Sequence, residues 1–199
     1  MQRVQYNRKT SPKVRGGKVQ KKNNHRLTLK RGFVVDRVSP RKGFKHLVTK
    51  QELFDFIELI PNWQQVLYGI ECILLSEGSD EVDGLYLPYR REKTGIIRIS
   101  AWRKELVQEI RKDYFDAHIS IFEKIDLKFE RRKDCVNCWF DEPKAKAFVL
   151  MHVFLHELGH HHDFMQRRAI SSGETFAQDF AKRLENTIWP KYIEKFGKP

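Results

Sequence analysis

Residues 1–31 show no apolar periodicity, whereas the rest of the chain contains apolar positions that recur with the periods of helices and strands. Thr49 and Glu52 have the spacing of a helix capping box, and the apolar residues that follow them repeat as they would on one face of a helix. Pro61 would end this helix, because proline has no amide hydrogen to donate. We therefore predict that a polar segment precedes the first helix of a folded domain.

The middle of the chain predicts several strands. Residues 66–75 are rich in β-branched and large apolar residues, which are typical of strands. The shorter apolar runs 85–87 and 95–100 predict two more strands, which we expect to pair as a hairpin. Residues 101–116 then predict a helix capped by the preceding serine. Residues 135–140 indicate a short strand at the edge of a sheet.

The last third of the chain predicts two long helices. Residues 145–158 are apolar nearly all round, as expected of a buried helix, and Pro143 suits its first turn. The small polar residues 171–173 would interrupt the chain. Residues 174–186 then predict a second helix, and Pro190 would separate it from a short terminal one.

The buried helix contains the motif H-E-x-x-H, formed by His156, Glu157 and His160. Residues four apart lie on one face of a helix, so the two imidazoles can bind the same metal ion. Glu157 lies one position further round the helix, where it can act on a water at the metal without being a ligand. This arrangement is typical of zinc hydrolases, most often peptidases.

A catalytic zinc site usually has three protein ligands, so a third must come from elsewhere. No histidine follows His162, which leaves a carboxylate. Glu174 begins the next predicted helix and is our first choice, while Asp179 and Asp163 remain alternatives. Asp163 could instead orient an imidazole. Ala177 is small and would let the two helices approach closely.

The sequences HELGHHHD (156–163) and GETFAQDFAKRL (173–184) resemble the zincin metallopeptidases that use a glutamate as third ligand. More narrowly, they are similar to the ImmA/IrrE-type domain, in which H-E-x-G-H precedes a helix of the pattern E-x-x-A-x-x-F-A. The strand pair around 84–86 and 96–99 resembles the one that precedes the motif helix in that family. The resemblance covers about residues 66–187.

This resemblance implies that His156, His160 and Glu174 are the zinc ligands and that Glu157 is the general base. The base would take a proton from the attacking water and pass it to the leaving amine. Segment 116–142 and the basic N-terminal segment have no counterpart in the family pattern.

A second group that stabilises the oxyanion is usual in such enzymes, and Tyr86, Tyr89 and His161 are candidates. His161 and His162 are otherwise expected to cover the rim of the cleft or to face water. His152, one helical turn before the motif, is expected to be a packed core histidine.

The net charge of +12 is concentrated at the N-terminus, because residues 1–45 contain 15 Lys and Arg and one acidic residue. Such an arm suggests contact with nucleic acid or another polyanion, or alternatively a solubilising tail. Membrane spans and an apolar signal-peptide core are not predicted, and three cysteines do not make a disulfide framework. We therefore expect a cytoplasmic protein. Cys135-x-x-Cys138 lacks a second pair that would complete a four-ligand zinc site.

Together these observations predict an α+β, zincin-like domain over residues 46–199, preceded by a basic and largely disordered arm over residues 1–45. Its small, mostly antiparallel sheet would pack on the H-E-x-x-H helix and on the following helix that provides the third ligand. The expected function is a Zn²⁺-dependent endopeptidase that acts on a cytosolic protein or peptide, including a regulator or a nucleic-acid-bound protein. The alternative is a nucleic-acid-associated binding protein in which the zinc is structural. Four protein ligands would favour that alternative.

Overall fold

The computed structural model of the chain describes residues 14–15, 18–19, 32–80, 82–166 and 173–199. The strands in these ranges are β1 (Val14–Arg15), β2 (Lys18–Val19), β3 (Val34–Arg37), β4 (Phe44–Lys45), β5 (Ile70–Ser76), β6 (Gly84–Tyr89), β7 (Thr94–Ser100), β8 (Trp102–Arg103), β9 (Val107–Arg111), β10 (Lys128–Arg131) and β11 (Cys135–Trp139). The helices are α1 (Lys50–Ile57), α2 (Trp63–Val66), α3 (Lys112–Ala117), α4 (Ile119–Lys124), α5 (Glu142–Phe148), α6 (Leu155–Met165) and α7 (Gly173–Phe196), and a π-helical segment (Val149–Phe154) joins α5 to α6.

The first helix forms for the reason the sequence indicates. The side chain of Thr49 accepts a hydrogen bond from the backbone N–H of Glu52, and the carboxylate of Glu52 accepts one from the backbone N–H of Thr49. This capping box satisfies amide groups that have no partner within the helix. Leu53, Phe56 and Ile57 lie on the buried face, so α1 packs into the core.

The central sheet has the strand order β3-β5-β7-β6. The predicted hairpin is confirmed, because β6 pairs antiparallel with β7. β3 pairs parallel with β5, and β5 pairs parallel with β7. The expectation of a mostly antiparallel sheet is therefore wrong for this sheet, although the α+β class is correct. Helices α1 and α2 lie between β3 and β5, and a crossover of this kind returns the chain in the parallel direction.

A second sheet has the order β10-β11-β9, with both pairs antiparallel. The strand predicted at residues 135–140 exists as β11, but its prediction as an edge strand was wrong, because β11 has a neighbour on each side. β9 instead lies at an edge of this sheet. β9 lies within residues 101–116, which were predicted to form one helix, and that prediction was also wrong.

The helix prediction failed because Trp102, Leu106 and Ile110 are spaced four residues apart, as on one helical face. In the structure, Leu106 has a φ of 56°, which is incompatible with a right-handed helix. The residues after it pair with β11, more than 20 positions further along the chain. A short helix begins only at Lys112.

The motif helix is built from α5, the π-helical segment and α6. The side chain of Asp141 accepts a hydrogen bond from the backbone N–H of Lys144 (2.9 Å) and so caps α5, whose first turn contains Pro143. All six residues of the π-helical segment are buried. The predicted buried helix is thus confirmed, with one wider turn inserted just before the motif.

Helix α7 runs without interruption from Gly173 to Phe196, so the predicted separation at Pro190 was wrong. Proline removes one backbone hydrogen bond, but Ile188 and Tyr192 on either side of it are buried in the core. Near its middle, α7 is also held by an ion pair between Lys124 and the buried Glu185.

The folded part of the molecule includes residues from the range 1–45 that was predicted as an arm. β3 pairs with β5, and β4 pairs antiparallel with β8. β1 and β2 pair with each other. The remaining positions before residue 32 lie outside the described residues. In the described ranges, no helix combines the length and apolarity needed to cross a bilayer.

Candidate metal centre

One face of α6 packs against α7, and another face packs against β6. His156 and His160 point towards α7, where both approach Glu174. Glu157 and His161, which are also four residues apart, point towards β6: Glu157 contacts the position of Gly84, and His161 contacts Tyr86. The two potential ligands and the potential base are therefore presented in different directions by one turn of helix.

Three side-chain groups converge between α6 and α7. The Nε2 atoms of His156 and His160 are 3.1 Å apart. Glu174 places Oε2 at 3.3 Å from Nε2 of His156 and Oε1 at 3.4 Å from Nε2 of His160. Ligands bound at 2.0–2.1 Å in a tetrahedron lie about 3.3 Å from one another. The three observed separations, which involve a different carboxylate oxygen for each imidazole, are close to this value, so the cluster could hold a metal ion.

The structure brings together three of the residues considered from the sequence and excludes two others. Within the described ranges, His156, His160 and Glu174 are the one group of three or more His, Cys, Asp or Glu side chains that could hold a metal ion. Asp179 and Asp163 do not belong to it, and Asp179 is exposed on α7. The side chain of Glu174 is 83% exposed, so the cluster is accessible from solvent on the side of this residue.

A close contact between α6 and α7 places the carboxylate within reach of the imidazoles. A Cβ atom added to Gly159 would lie 2.7 Å from both Cα and the carbonyl oxygen of Ala177. Such a distance is not tolerated between non-bonded atoms, and neither backbone can yield easily. The small residue at 177 was predicted to allow this approach, and the contact shows that Gly159 is equally necessary.

The environment of Glu157 differs from that of the ligand cluster. Its side chain is buried and accepts a hydrogen bond from the backbone N–H of Tyr86. A Cβ atom at Gly84 would lie 2.8 Å from Oε1 of Glu157, so β6 can pass this close only with glycine there. Burial, with a smaller contribution from the nearby charge of Glu174, raises the pKa of Glu157 to about 7.

The environment of His156 favours the neutral imidazole. Burial and the neighbouring His160 lower the pKa of His156 to about 4. A neutral imidazole is the form that binds metal, so the protein environment already favours it. The Nδ1 atom of His156 is buried and has no hydrogen-bond partner among the described residues. The donor set of two imidazoles and one carboxylate fits a zinc ion.

Two of the candidates for oxyanion stabilisation bind each other. The hydroxyl of Tyr86 lies 3.0 Å from Nδ1 of His161, and Nε2 of His161 lies 2.8 Å from the carbonyl oxygen of Tyr68. Burial lowers the pKa of His161, so its ring is neutral, donates through Nε2 and accepts from Tyr86. His161 is buried, and its prediction as a rim or water-facing residue was wrong. Tyr89 ends β6 and is exposed.

A tyrosine that the sequence did not indicate lies next to the row of histidines. The hydroxyl of Tyr114, on α3, is 2.9 Å from Nε2 of the buried His152. The ring of His152 is 6.3 Å from that of His156, and Tyr114 stacks on His118 at 4.1 Å. Burial, and then the charges of Asp83, Glu157 and Glu174, raise the pKa of Tyr114.

Tyr114 was missed because its region was predicted as a plain helix with no link to the motif. His152 is buried in the core as expected, and its polar partner is this tyrosine. Burial also holds its pKa well below the ordinary value, so its ring is neutral.

The two cysteines of the C-x-x-C pair do not form a second metal site. They lie three residues apart on β11, and residues separated by an odd number of positions point to opposite faces of a strand. Cys138 is buried, which raises its pKa to about 12. Both edges of β11 are paired, with β10 and with β9, so this strand offers no free edge to an extended peptide.

No protein-family model, no curated protein and no solved structure matches this chain.

If Glu174 is the third ligand, Glu174→Ala should weaken zinc binding at least about 100-fold. Removing a residue that only orients a ligand already weakens metal binding by up to about 100-fold, and removing the ligand itself should weaken it no less. Asp179→Ala, on the same helix, should bind zinc as the unmodified protein does. Zinc affinity is measured by competition with a chromophoric chelator. Loss of zinc in Asp179→Ala alone would contradict the assignment.

The contact between the helices predicts that Gly159→Ala weakens zinc binding about 10-fold or more, because the added methyl group pushes α7 and its carboxylate away from the imidazoles. Gly173→Ala is the matched control, since its Cβ would meet nothing closer than 3.8 Å. The same chelator competition measures both variants. Equal affinities for zinc in the two variants would show that the close approach is not required.

Proposed function

We propose that the protein is a zinc-dependent endopeptidase with a zincin-like domain, which hydrolyses a peptide bond in a cytosolic protein. The similarity of its motif helix and ligand helix to the ImmA/IrrE-type metallopeptidase domain supports this proposal. The single observation that carries it is the convergence of His156, His160 and Glu174, in which each imidazole Nε2 lies within 3.4 Å of one carboxylate oxygen and 3.1 Å from the other Nε2. These separations are close to the spacing of ligands around a tetrahedral zinc ion.

The number of ligands favours an enzyme over the alternative of a structural zinc in a nucleic-acid-associated protein. A structural site has four protein ligands, whereas a catalytic site has three and keeps one position open. In the part of the chain that the structure describes, the cluster consists of three residues and is accessible from solvent. The basic arm over 1–45 remains our proposal for a contact with nucleic acid or another polyanion.

In this proposal His156, His160 and Glu174 would hold the zinc ion. When bound, zinc lowers the pKa of a coordinated water towards neutrality and polarises the carbonyl of the substrate. Glu157 accepts a proton from the attacking water at its carboxylate and later transfers it to the leaving amine. The backbone N–H of Tyr86 holds this carboxylate in place during both transfers.

We assign the stabilisation of the oxyanion to Tyr114 instead of Tyr86, Tyr89 or His161. The hydroxyl proton of Tyr86 is donated to His161, and Tyr89 lies at the end of a hairpin strand. When Nε2 of the neutral His152 carries the ring proton, it donates to the oxygen of Tyr114. The phenolic hydrogen is then free to bond to the developing negative charge.

Glu157→Gln should bind zinc normally and lose turnover by at least about 100-fold, because the amide cannot accept the proton. The assay measures cleavage of a fluorogenic peptide library by the zinc-loaded protein, with zinc content determined in parallel. Glu123→Gln, an exposed position on α4, is the control and should retain full activity. Cleavage by Glu157→Gln at the unmodified rate would contradict the mechanism. A zinc-loaded unmodified protein that cleaves no peptide would support the structural-zinc alternative.

Tyr114→Phe should lower kcat about 100-fold with little change in KM or zinc affinity, because the lost hydroxyl acts on the transition state. Steady-state kinetics on one cleaved peptide separate the two constants. Tyr89→Phe removes a phenol outside the site and should change neither constant. An unchanged kcat in Tyr114→Phe would remove this residue from the mechanism.

A further inference from the structure

A cleft of about 390 Å³ in the described surface adjoins the candidate metal centre through Tyr114. One wall is the connection between β5 and β6, and the other comprises β8, β9 and the start of α3. Its lining includes a carboxylate and an amide (Asp83 and Gln108), apolar side chains (Trp102, Leu106 and Ile110) and the phenol of Tyr114. Tyr114 lies in the cleft lining and next to the histidine row, so a peptide bound in the cleft would reach the metal centre.

The charged groups of the described lining are not balanced. Asp80 accepts hydrogen bonds from Arg103 (2.7 Å) and from Arg41 (2.5 Å), so its charge is neutralised within the protein. Asp83 has the side-chain amide of Gln108 as its hydrogen-bond partner and forms no ion pair with a described residue. An amide donates a hydrogen bond but provides no positive charge. Glu109 also lines the cleft, but it is exposed to solvent and bonds to Cys135. Asp83 is therefore the half-buried carboxylate of the described lining whose charge has no counter-charge.

Asp83 is held at a fixed place in the cleft. Its backbone carbonyl accepts a hydrogen bond from the backbone N–H of Ser100 (2.8 Å), which ties it to the end of β7. Burial raises its pKa to about 6. A carboxylate that is partly removed from water in this way is stabilised more strongly by a cation brought to it than by a neutral hydrogen-bond donor.

The rest of the cleft suits a long side chain with an apolar stem. Trp102, Leu106 and Ile110 are buried residues that line it. Lysine and arginine have aliphatic stems that pack on such surfaces while their charged ends reach a polar group.

We propose that this cleft is a substrate subsite in which Asp83, oriented by Gln108, binds the side chain of a lysine or arginine in the peptide to be cleaved. The proposal rests on the peptidase function, and it adds the chemical class of residue that the enzyme selects. Asp83 is a specificity residue and takes no part in bond cleavage.

The test measures binding separately from cleavage. Full-length, zinc-loaded Glu157→Gln protein is titrated with labelled Ala/Ser/Gly-based octapeptides that contain a single lysine, or its neutral analogue norleucine, at successive positions. We expect lysine at one position to bind about 10- to 100-fold more tightly than norleucine, as for a hydrogen bond to a charged group. Adding Asp83→Asn should abolish this difference and leave the affinity for the norleucine peptide unchanged.

Asp80→Asn is the matched control, because that carboxylate is already paired with two arginines, and the lysine preference should persist in it. Asp83→Lys should reverse the preference towards a glutamate peptide. The proposal is overturned if no position prefers lysine in the parent protein, or if Asp83→Asn keeps the preference. Binding is measured in a variant without turnover, so this test does not depend on cleavage. A failure of the peptidase proposal would appear in the cleavage assay, and a failure of the subsite proposal would appear in the binding measurement.

Discussion

The candidate site depends on one steric constraint, the contact between Gly159 and the backbone of Ala177. Two imidazoles on a helix can face in a common direction without any help from the rest of the fold. A third ligand on a separate helix is useful only if the two helix axes lie unusually close together. Gly159 allows this approach because no side-chain atom stands between α6 and the backbone of α7. The Gly of the motif is thus a structural requirement of the carboxylate ligand.

The sequence predicted those parts of the fold that depend on neighbouring residues. The capping box of α1, the hairpin β6–β7 and the start of α5 each involve groups a few positions apart, whose interactions follow from local geometry. The three proposed ligands were also found from the sequence, because a helical spacing of four fixes the direction of His156 and His160. Glu174 was the first choice from the sequence, ahead of Asp179 and Asp163, and it is the carboxylate that lies beside both imidazoles in the structure.

The parts that could not be predicted depend on residues distant in sequence. Residues 107–111 form a strand because β11 pairs with them, and nothing local distinguishes their apolar spacing from that of a helix. The same applies to Tyr114, which meets His152 across 38 positions of the chain. The continuity of α7 through Pro190 likewise reflects the burial of Ile188 and Tyr192, which outweighs the loss of one hydrogen bond. In each case tertiary packing overrides the local signal.

The two-faced presentation of α6 has a consequence for how such a chain can change over time. The cation-binding groups are supported by α7, whereas the carboxylate of Glu157 is supported by β6 through Gly84 and the backbone of Tyr86. A side chain acquired at position 84 would meet Val153 and the side chain of Glu157 at less than 3.0 Å, so one of these side chains would have to shift. In the proposed enzyme, a substitution at position 84 would therefore disturb the base, which is supported separately from the groups proposed to hold the ion.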